Sequence, residues 1–223
     1  QSWHHEYSKI SEAWEASTGK GVTIAVIDTG LSDDQDNLNN NFNSGFSANR
    51  SVEKLSTRYS GILWWNDLEP PHDECGHGTE MSGLAAAPRS DDGNSVGVAY
   101  NANLIGIRAV NDVVIDGSSD TEGVKDALVF VGQREGHHII SMSVGSPFSN
   151  GAVEDGIQFA YNSGKLIFAA AGTSLELTTN IVGVIFPANR PETVAVTGVK
   201  TTSPLKKCDT CHEGSEVEFV MPV

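Results

Sequence analysis

The pattern of apolar and polar positions along the chain predicts strands that alternate with helices. Val22–Ile27 is apolar and largely β-branched, which is typical of a strand buried on both faces of a parallel sheet. Between such runs lie stretches with apolar residues on one helical face. We therefore expect an α/β fold with a mostly parallel sheet. The predicted strands are Val22–Ile27, Leu104–Val110, His138–Ser143, Leu166–Ala171 and Thr193–Val199, and the predicted helices are Ser11–Ser17, Glu80–Ala87, Asp120–Glu135 and Val153–Asn162.

Composition indicates one domain and excludes several kinds of partner. The 223 residues are 39% hydrophobic, so residues 1–223 can form a single core, with Ser32–Ser60 predicted as a long surface loop. The net charge of −15 argues against nucleic acid and against an anionic membrane surface. The longest apolar run, Leu166–Ala171, is too short to span a bilayer. The chain does not open with a charged-then-apolar signal segment, so we expect Gln1 to be a mature or trimmed terminus, which leaves localisation open.

Two motifs suggest an acid–base pair. Asp28 follows the first predicted strand in Ile27-Asp28-Thr29-Gly30, and the carboxyl ends of parallel strands are where sites form. His77 opens a helix of small residues in Gly76-His77-Gly78-Thr79. A His with a carboxylate is the base and its orienting partner in a nucleophilic triad, although both residues could instead cap turns or helices. An aspartic protease is excluded, because it needs two such carboxylates and no second Asp-Thr-Gly or Asp-Ser-Gly occurs.

Two further strand ends consist of small residues. Ser141–Gly145 and Ala169–Gly172 leave room beside the backbone, so an extended peptide could pair with them by strand addition. Tight packing of the fold would produce the same composition.

Taken in order, these motifs resemble those of the subtilisin-like serine proteases, from about Gly21 to the end of the chain. The resemblance implies a three-layer α/β sandwich around a mostly parallel sheet. It further implies a serine endopeptidase that acts on polypeptides, without a required cofactor, in a secreted or extracellular setting. Other segments in the family's order are Pro187-Ala188, Val194-Ala195-Val196 and Glu216–Pro222.

The same resemblance assigns roles to individual residues. Asp28 and His77 correspond to the catalytic acid and base. The peptide would lie between Ser143–Gly145 and a segment near Gly117. Small residues around the pocket for P1, the residue on the acyl side of the scissile bond, predict an open pocket that accepts large apolar side chains. The implied substrate-binding residues are Ser143, Gly145, Ala170, Ala171, Gly172 and Gly117.

The sequence departs from the family at two positions. Thr173 stands where the family has an Asn that donates to the oxyanion, and Thr offers one hydroxyl on a shorter arm. The family's Gly-Thr-Ser nucleophile motif would follow Glu216–Pro222, so we expect the Ser beyond Val223. Gly172-Thr173-Ser174 lacks the small-residue helix that should come after it. We therefore expect residues 1–223 alone to be inactive, and the alternative function is a non-catalytic peptide-binding module.

Cysteine and oxygen-rich segments leave metal sites open. Cys208-Asp209-Thr210-Cys211-His212 matches the c-type haem attachment pattern, but its place in a loop argues against haem. Zinc could use Cys208, Cys211 and His212 with Cys75, His72 or a water, whereas a surface loop or short disulfide is the simpler interpretation. Ser32–Asn37 and Ser90–Asn94 could hold structural calcium, which the resembled family often uses.

Overall fold

The central element of the computed structural model is a sheet of parallel strands. The structure describes residues 3–60, 67–91, 94–174, 182–202 and 204–223. Among these, the sheet has the strand order β10-β8-β7-β6-β1-β5-β2, all parallel, with β9 antiparallel to β8. Strands β3 and β4 form a separate antiparallel pair. The strands are β1 Thr23–Asp28, β2 Val52–Ser56, β3 Tyr59–Ser60, β4 Asp67–Leu68, β5 Asn103–Arg108, β6 Ile139–Met142, β7 Leu166–Ala170, β8 Thr193–Lys200, β9 Lys206–Lys207 and β10 Val217–Pro222.

Helices cover both faces of this sheet, which gives the three-layer α/β sandwich. Every residue of β1 is buried, and alternate side chains point to opposite faces. Ile27 packs in a core with Leu128 of α4 and Ile157 of α5, whereas Val26 packs in a second core with Ala86 of α3. The helices are α1 Trp3–Tyr7, α2 Ile10–Ala13, α3 His77–Ala86, α4 Gly117–Gln133 and α5 Gly151–Asn162, with a 3₁₀ turn at Asp36–Leu38.

The strand register brings the predicted motifs to one edge of the sheet. Asp28 is the last residue of β1, which lies between β5 and β6. Because the strands are parallel, the carboxyl ends of β6 and β7, at Met142 and Ala170, lie on the same edge. Helix α3 begins at His77 and contacts β1. The fold class predicted from the sequence is confirmed.

Two secondary-structure predictions were wrong. The helix predicted over Ser11–Ser17 is only the four-residue α2, Ile10–Ala13, followed by turns. The loop predicted over Ser32–Ser60 contains the edge strand β2, which pairs with β5. Only two of its five residues, Val52 and Leu55, are apolar, so the strand does not stand out among the polar residues around it. In the described part of the chain, no helix is long and apolar enough to cross a membrane.

Candidate active site

The two candidate acid–base residues are in direct contact. Nδ1 of His77 lies 2.8 Å from Oδ1 of Asp28. The Asp28 side chain is fully buried and also accepts a 2.8 Å hydrogen bond from the Thr29 N–H. The His77 side chain keeps 26% of its surface exposed, so its ring is held on one side and open to solvent on the other.

The surroundings favour the charged form of His77. The hydrogen bond to Asp28 raises the pKa of His77, partial burial opposes this, and the negative charges of Asp28, Glu80 and Asp73 raise it further. The net pKa of His77 therefore lies above its ordinary value. A base of this kind can accept a proton and then remain stabilised as the imidazolium.

A third carboxylate, Asp73, fixes the start of α3. Its Oδ1 accepts hydrogen bonds from the Thr29 hydroxyl at 2.8 Å and from the Gly76 N–H at 2.8 Å. Its Oδ2 accepts from the N–H and the hydroxyl of Thr79 at 2.8 and 2.6 Å. The Gly78 N–H in turn donates to Thr29 Oγ1 at 2.9 Å. These bonds join the turn after Asp28 to the first turn of the helix that carries His77.

Glycines make this close approach possible. Gly76 caps α3 with φ 91°, a left-handed conformation that other residues adopt only with strain. A Cβ on Gly78 would lie 2.4 Å from the carbonyl oxygen of Gly30. The Gly-His-Gly pattern therefore lets the backbone of α3 touch the backbone that follows β1.

The expected peptide-binding edge at Ser143–Gly145 already has backbone partners at its end. The Gly145 N–H donates to the Val113 carbonyl at 3.0 Å, and the Ile115 N–H donates to the Gly145 carbonyl at 2.8 Å. Val114 and Gly145 thus form a parallel bridge. A peptide that pairs at Gly145 must displace residues 113–115, so strand addition along this edge requires that segment to move.

Gly117 lies at the start of α4 rather than beside Gly145. It lines a cavity of about 670 Å³ together with Ser146 and Phe148, and Phe148 is 78% exposed. The structure therefore places Gly117 near the segment that follows Gly145, across an open cavity.

The strand end after β7 is held by a neighbouring loop. Ala170 ends β7, Ala171 is fully buried, and its N–H donates to the Val196 carbonyl at 2.8 Å. Gly172 then takes φ 109°. Thr173 is exposed and forms an antiparallel bridge with Cys211.

The loop that pairs with this strand end is closed by a disulfide between Cys208 and Cys211. The His212 N–H donates to the Gly172 carbonyl at 2.9 Å, and the Ser174 N–H donates to the Thr210 carbonyl at 2.9 Å. The disulfide uses both thiols, so they are not available as zinc ligands, and the structure favours the short-disulfide interpretation. Cys75 is a free, exposed thiol.

The same segment contains a histidine–serine contact. Nε2 of His212 lies 2.8 Å from Oγ of Ser174, and His212 is only 2% exposed. Burial lowers the pKa of His212. A Cβ on Gly172 would lie 2.7 Å from its Nδ1, so the glycine is needed to make room for the ring.

A family model and several known proteins match most of this chain. The subtilase family model matches residues 19–222. The chain belongs to the subtilase family. Thermitase from Thermoactinomyces vulgaris is 25% identical over 211 residues, which cover 95% of this chain and 66% of thermitase. Alkaline elastase YaB from Bacillus sp. (strain YaB) is 31% identical over 180 residues, 80% of this chain and 40% of the elastase.

A solved structure agrees with the fold of this subtilase. Sphericase superposes with a TM-score of 0.72 at 25% identity, over 92% of this chain and 66% of sphericase. The chain thus spans about two thirds, or less, of the length of the relatives named here.

Of the two runs predicted to hold calcium in this subtilase, only Ser32–Asn37 lies wholly within the described residues. In Ser32–Asn37, the Ser32 carbonyl accepts hydrogen bonds from the Asn39 amide at 2.9 Å and the Lys54 ammonium at 3.4 Å, and Lys54 also pairs with Asp33. The Lys54 ammonium group thus already neutralises Asp33 and contacts the Ser32 carbonyl, which disfavours a calcium ion at these two residues. The second run, Ser90–Asn94, includes residues 92–93, which lie outside the described residues. No cluster of three or more candidate ligands from His, Cys, Asp and Glu occurs in the described part of the chain.

Sequence reasoning missed Asp73. It lies four residues before His77, and an acid just before a helix start can accept from the free N–H groups there. That local signal was available. Thr29, however, which donates to Asp73, is 44 positions away in the sequence, and only the fold brings the two residues together.

Proposed function

We propose that the protein is a serine endopeptidase that hydrolyses peptide bonds in polypeptides. The observation that carries the proposal is the 2.8 Å contact between Asp28 and His77 at the carboxyl edge of the sheet. A binding module needs neither a buried carboxylate nor an imidazole held in this way. Membership of the subtilase family supports the same activity.

In the proposed mechanism, the Nδ1–H of His77 donates a hydrogen bond to the ionised carboxylate of Asp28, which fixes the tautomer and leaves Nε2 as the base. The nucleophile is a serine that we place beyond Val223. Nε2 takes the proton from its hydroxyl as the serine oxygen attacks the scissile carbonyl. The imidazolium then gives that proton to the leaving amine, which leaves an acyl-enzyme. A water molecule then attacks the acyl-enzyme while His77 takes its proton. The imidazolium returns that proton to the serine oxygen, and the carboxylic acid product is released.

The negative charge on the tetrahedral oxygen needs donors. We propose the Thr173 hydroxyl and the backbone N–H of the nucleophile for this role. The position of Thr173, exposed at the strand end just after Gly172, supports its part. The proton transfers use side chains alone, so the proposed chemistry requires no cofactor.

The proposed substrate is an extended polypeptide lying along Ser143–Gly145, with its P1 side chain toward Ala170, Ala171 and Gly172. We further propose that the protein acts outside the cell. A relative named minor extracellular protease Epr, from Bacillus subtilis (strain 168), is 27% identical over 224 residues and supports this location.

The test compares peptide hydrolysis by the full-length protein, including whatever follows Val223, with that by two histidine variants. His77→Ala is expected to remove activity, because it deletes the base. His72→Ala is the matched control, since His72 contacts Asp33 rather than Asp28, and it should retain activity. A folded full-length protein that binds peptides but does not cleave them would support the peptide-binding module instead.

A further inference from the structure

The space between two strand ends of the proposed peptide-binding site is occupied by the side chain of Ile185. A Cβ on Gly145 would lie 2.6 Å from Cδ1 of Ile185, and a Cβ on Gly172 would lie 2.9 Å from the same atom. One isoleucine side chain therefore bridges the two glycines. At Gly145 and Gly172, the space left by the missing side chain is thus filled by Ile185.

The backbone around Ile185 is fixed on both sides. The Ile185 N–H donates to the Ala171 carbonyl at 3.0 Å. The next residue, Phe186, exchanges two hydrogen bonds with Ser146, at 2.8 and 3.1 Å, and is 1% exposed. Isoleucine is also stiff at χ1 because it is branched at Cβ. The side chain thus forms a wall that is anchored to both strand ends.

We propose that Ile185 is a specificity-determining residue that closes the P1 pocket to large side chains. The substrates are then polypeptides with Gly or Ala at P1, and aromatic or long aliphatic P1 residues are excluded. This inference rests on the proposed function, because it assumes that P1 lies between Gly145 and Gly172. It reverses the prediction of an open pocket made from the sequence.

The physical basis is the limited space beside a fixed wall. When two substrates differ by one methylene in a tight pocket, their kcat/KM values differ by about 10-fold or more. A Phe side chain adds several carbons where Ile185 already lies, so it must displace packed atoms, and overpacking of this kind is unfavourable. A P1 methyl group adds little volume and is tolerated.

The test uses the full-length enzyme and two peptide substrates that differ only at P1, with Ala or Phe. For the unmodified enzyme we expect kcat/KM to be at least about 10-fold higher for the Ala peptide. Ile185→Gly should raise kcat/KM for the Phe peptide by at least about 10-fold and change the Ala peptide little. Ile185→Ala provides a second variant that removes less volume, and it should shift the ratio in the same direction.

Val184→Ala is the matched control. Val184 precedes Ile185 and is buried, but its side chain faces Gly214, where a Cβ would lie 2.9 Å from its Cγ2. This variant loses apolar volume nearby and should leave the Ala-to-Phe ratio unchanged. Cleavage of both peptides at a ratio that neither Ile185 variant alters would overturn the inference while leaving the peptidase proposal intact. Absence of any cleavage by the folded enzyme, tested also on an unfolded protein substrate, would overturn both.

Discussion

The carboxylate of Asp73 accepts a 2.8 Å hydrogen bond from the hydroxyl of Thr29, the residue that follows Asp28. The same carboxylate receives two bonds from Thr79, two residues after His77. The two segments that carry Asp28 and His77 are therefore joined through one buried group. The distance between Asp28 and His77 depends on Asp73 as well as on their own contact.

We first predict that Asp73→Asn lowers kcat while changing KM little. The amide puts a donor where hydrogen-bond donors already point, which displaces the start of α3 and the His77 ring but leaves Ser143–Gly145 in place. Hydrogen bonds to charged groups contribute about 1.5–3 kcal/mol each, so unfolding free energy should also fall by an amount of that order. Steady-state kinetics and urea denaturation measure the two effects.

The pH dependence of this stability loss has a defined sign. Burial raises the pKa of Asp73, but the hydrogen bonds from Thr79, Gly76 and Thr29 outweigh burial and lower it below its ordinary value of 3.8. Its stabilisation is thus complete above that value and is lost as pH falls through the lower folded-state pKa. The difference in unfolding free energy between the unmodified protein and Asp73→Asn should therefore shrink as the pH is lowered. Asp34→Asn, at an exposed position in a nearby loop, is the control. An equal loss of unfolding free energy in Asp73→Asn and Asp34→Asn would contradict the stabilising role of Asp73.

The second prediction concerns the acid limb of the pH–rate profile. Asp28→Asn removes the hydrogen-bonded charge that raises the pKa of His77, so the limb should move to lower pH. The maximal rate should fall by about the 10⁴-fold that serine proteases lose when this carboxylate becomes an amide. Glu80→Gln removes a weaker, exposed charge and should shift the limb in the same direction, less far and more weakly at high salt. An unmoved limb in Asp28→Asn would show that another group titrates.

A third prediction addresses the disulfide. Cys208 and Cys211 are three positions apart. Closing so short a loop lowers the entropy of the unfolded chain and raises the free energy of unfolding by about 2 kcal/mol. The double variant Cys208→Ala/Cys211→Ala should lose about that much stability. It should also lose turnover, because the loop pairs with residues 172–174. Dithiothreitol should destabilise the unmodified protein and not the double variant. Cys75→Ala, at the exposed free thiol, should behave like the unmodified protein.

A fourth prediction tests Thr173 as an oxyanion donor. Thr173→Val keeps the shape and removes the hydroxyl, so kcat should fall with little change in KM. The loss should stay below the 10²–10³-fold, roughly, that follows removal of a well-placed oxyanion donor, because the Thr hydroxyl is on a short arm. Thr173→Asn should raise kcat above that of the unmodified enzyme. Full activity in Thr173→Val would remove Thr173 from the mechanism.

Local sequence patterns were sufficient for the α/β class with its mostly parallel sheet, though not for the edge strand β2, and they placed Asp28 and His77 at the same edge of the sheet. The continuous apolar run of β1 identified a strand buried on both faces, and parallel strands bring Asp28 and the start of α3 to one edge. The packing of Ile185 against Gly145 and Gly172 could not be predicted in this way. Small residues at a strand end can surround a void or a neighbouring side chain, and only the tertiary packing distinguishes the two.

The identity of the nucleophile is the most direct test of the peptidase proposal. A serine-directed phosphonate applied to the full-length protein, followed by peptide mapping, locates the reactive hydroxyl. We predict a label on a serine beyond Val223, present in the unmodified protein and in Ser174→Ala but absent in His77→Ala. A label on Ser174, which contacts His212 at 2.8 Å, or a label that persists without His77, would contradict the Asp28–His77 triad.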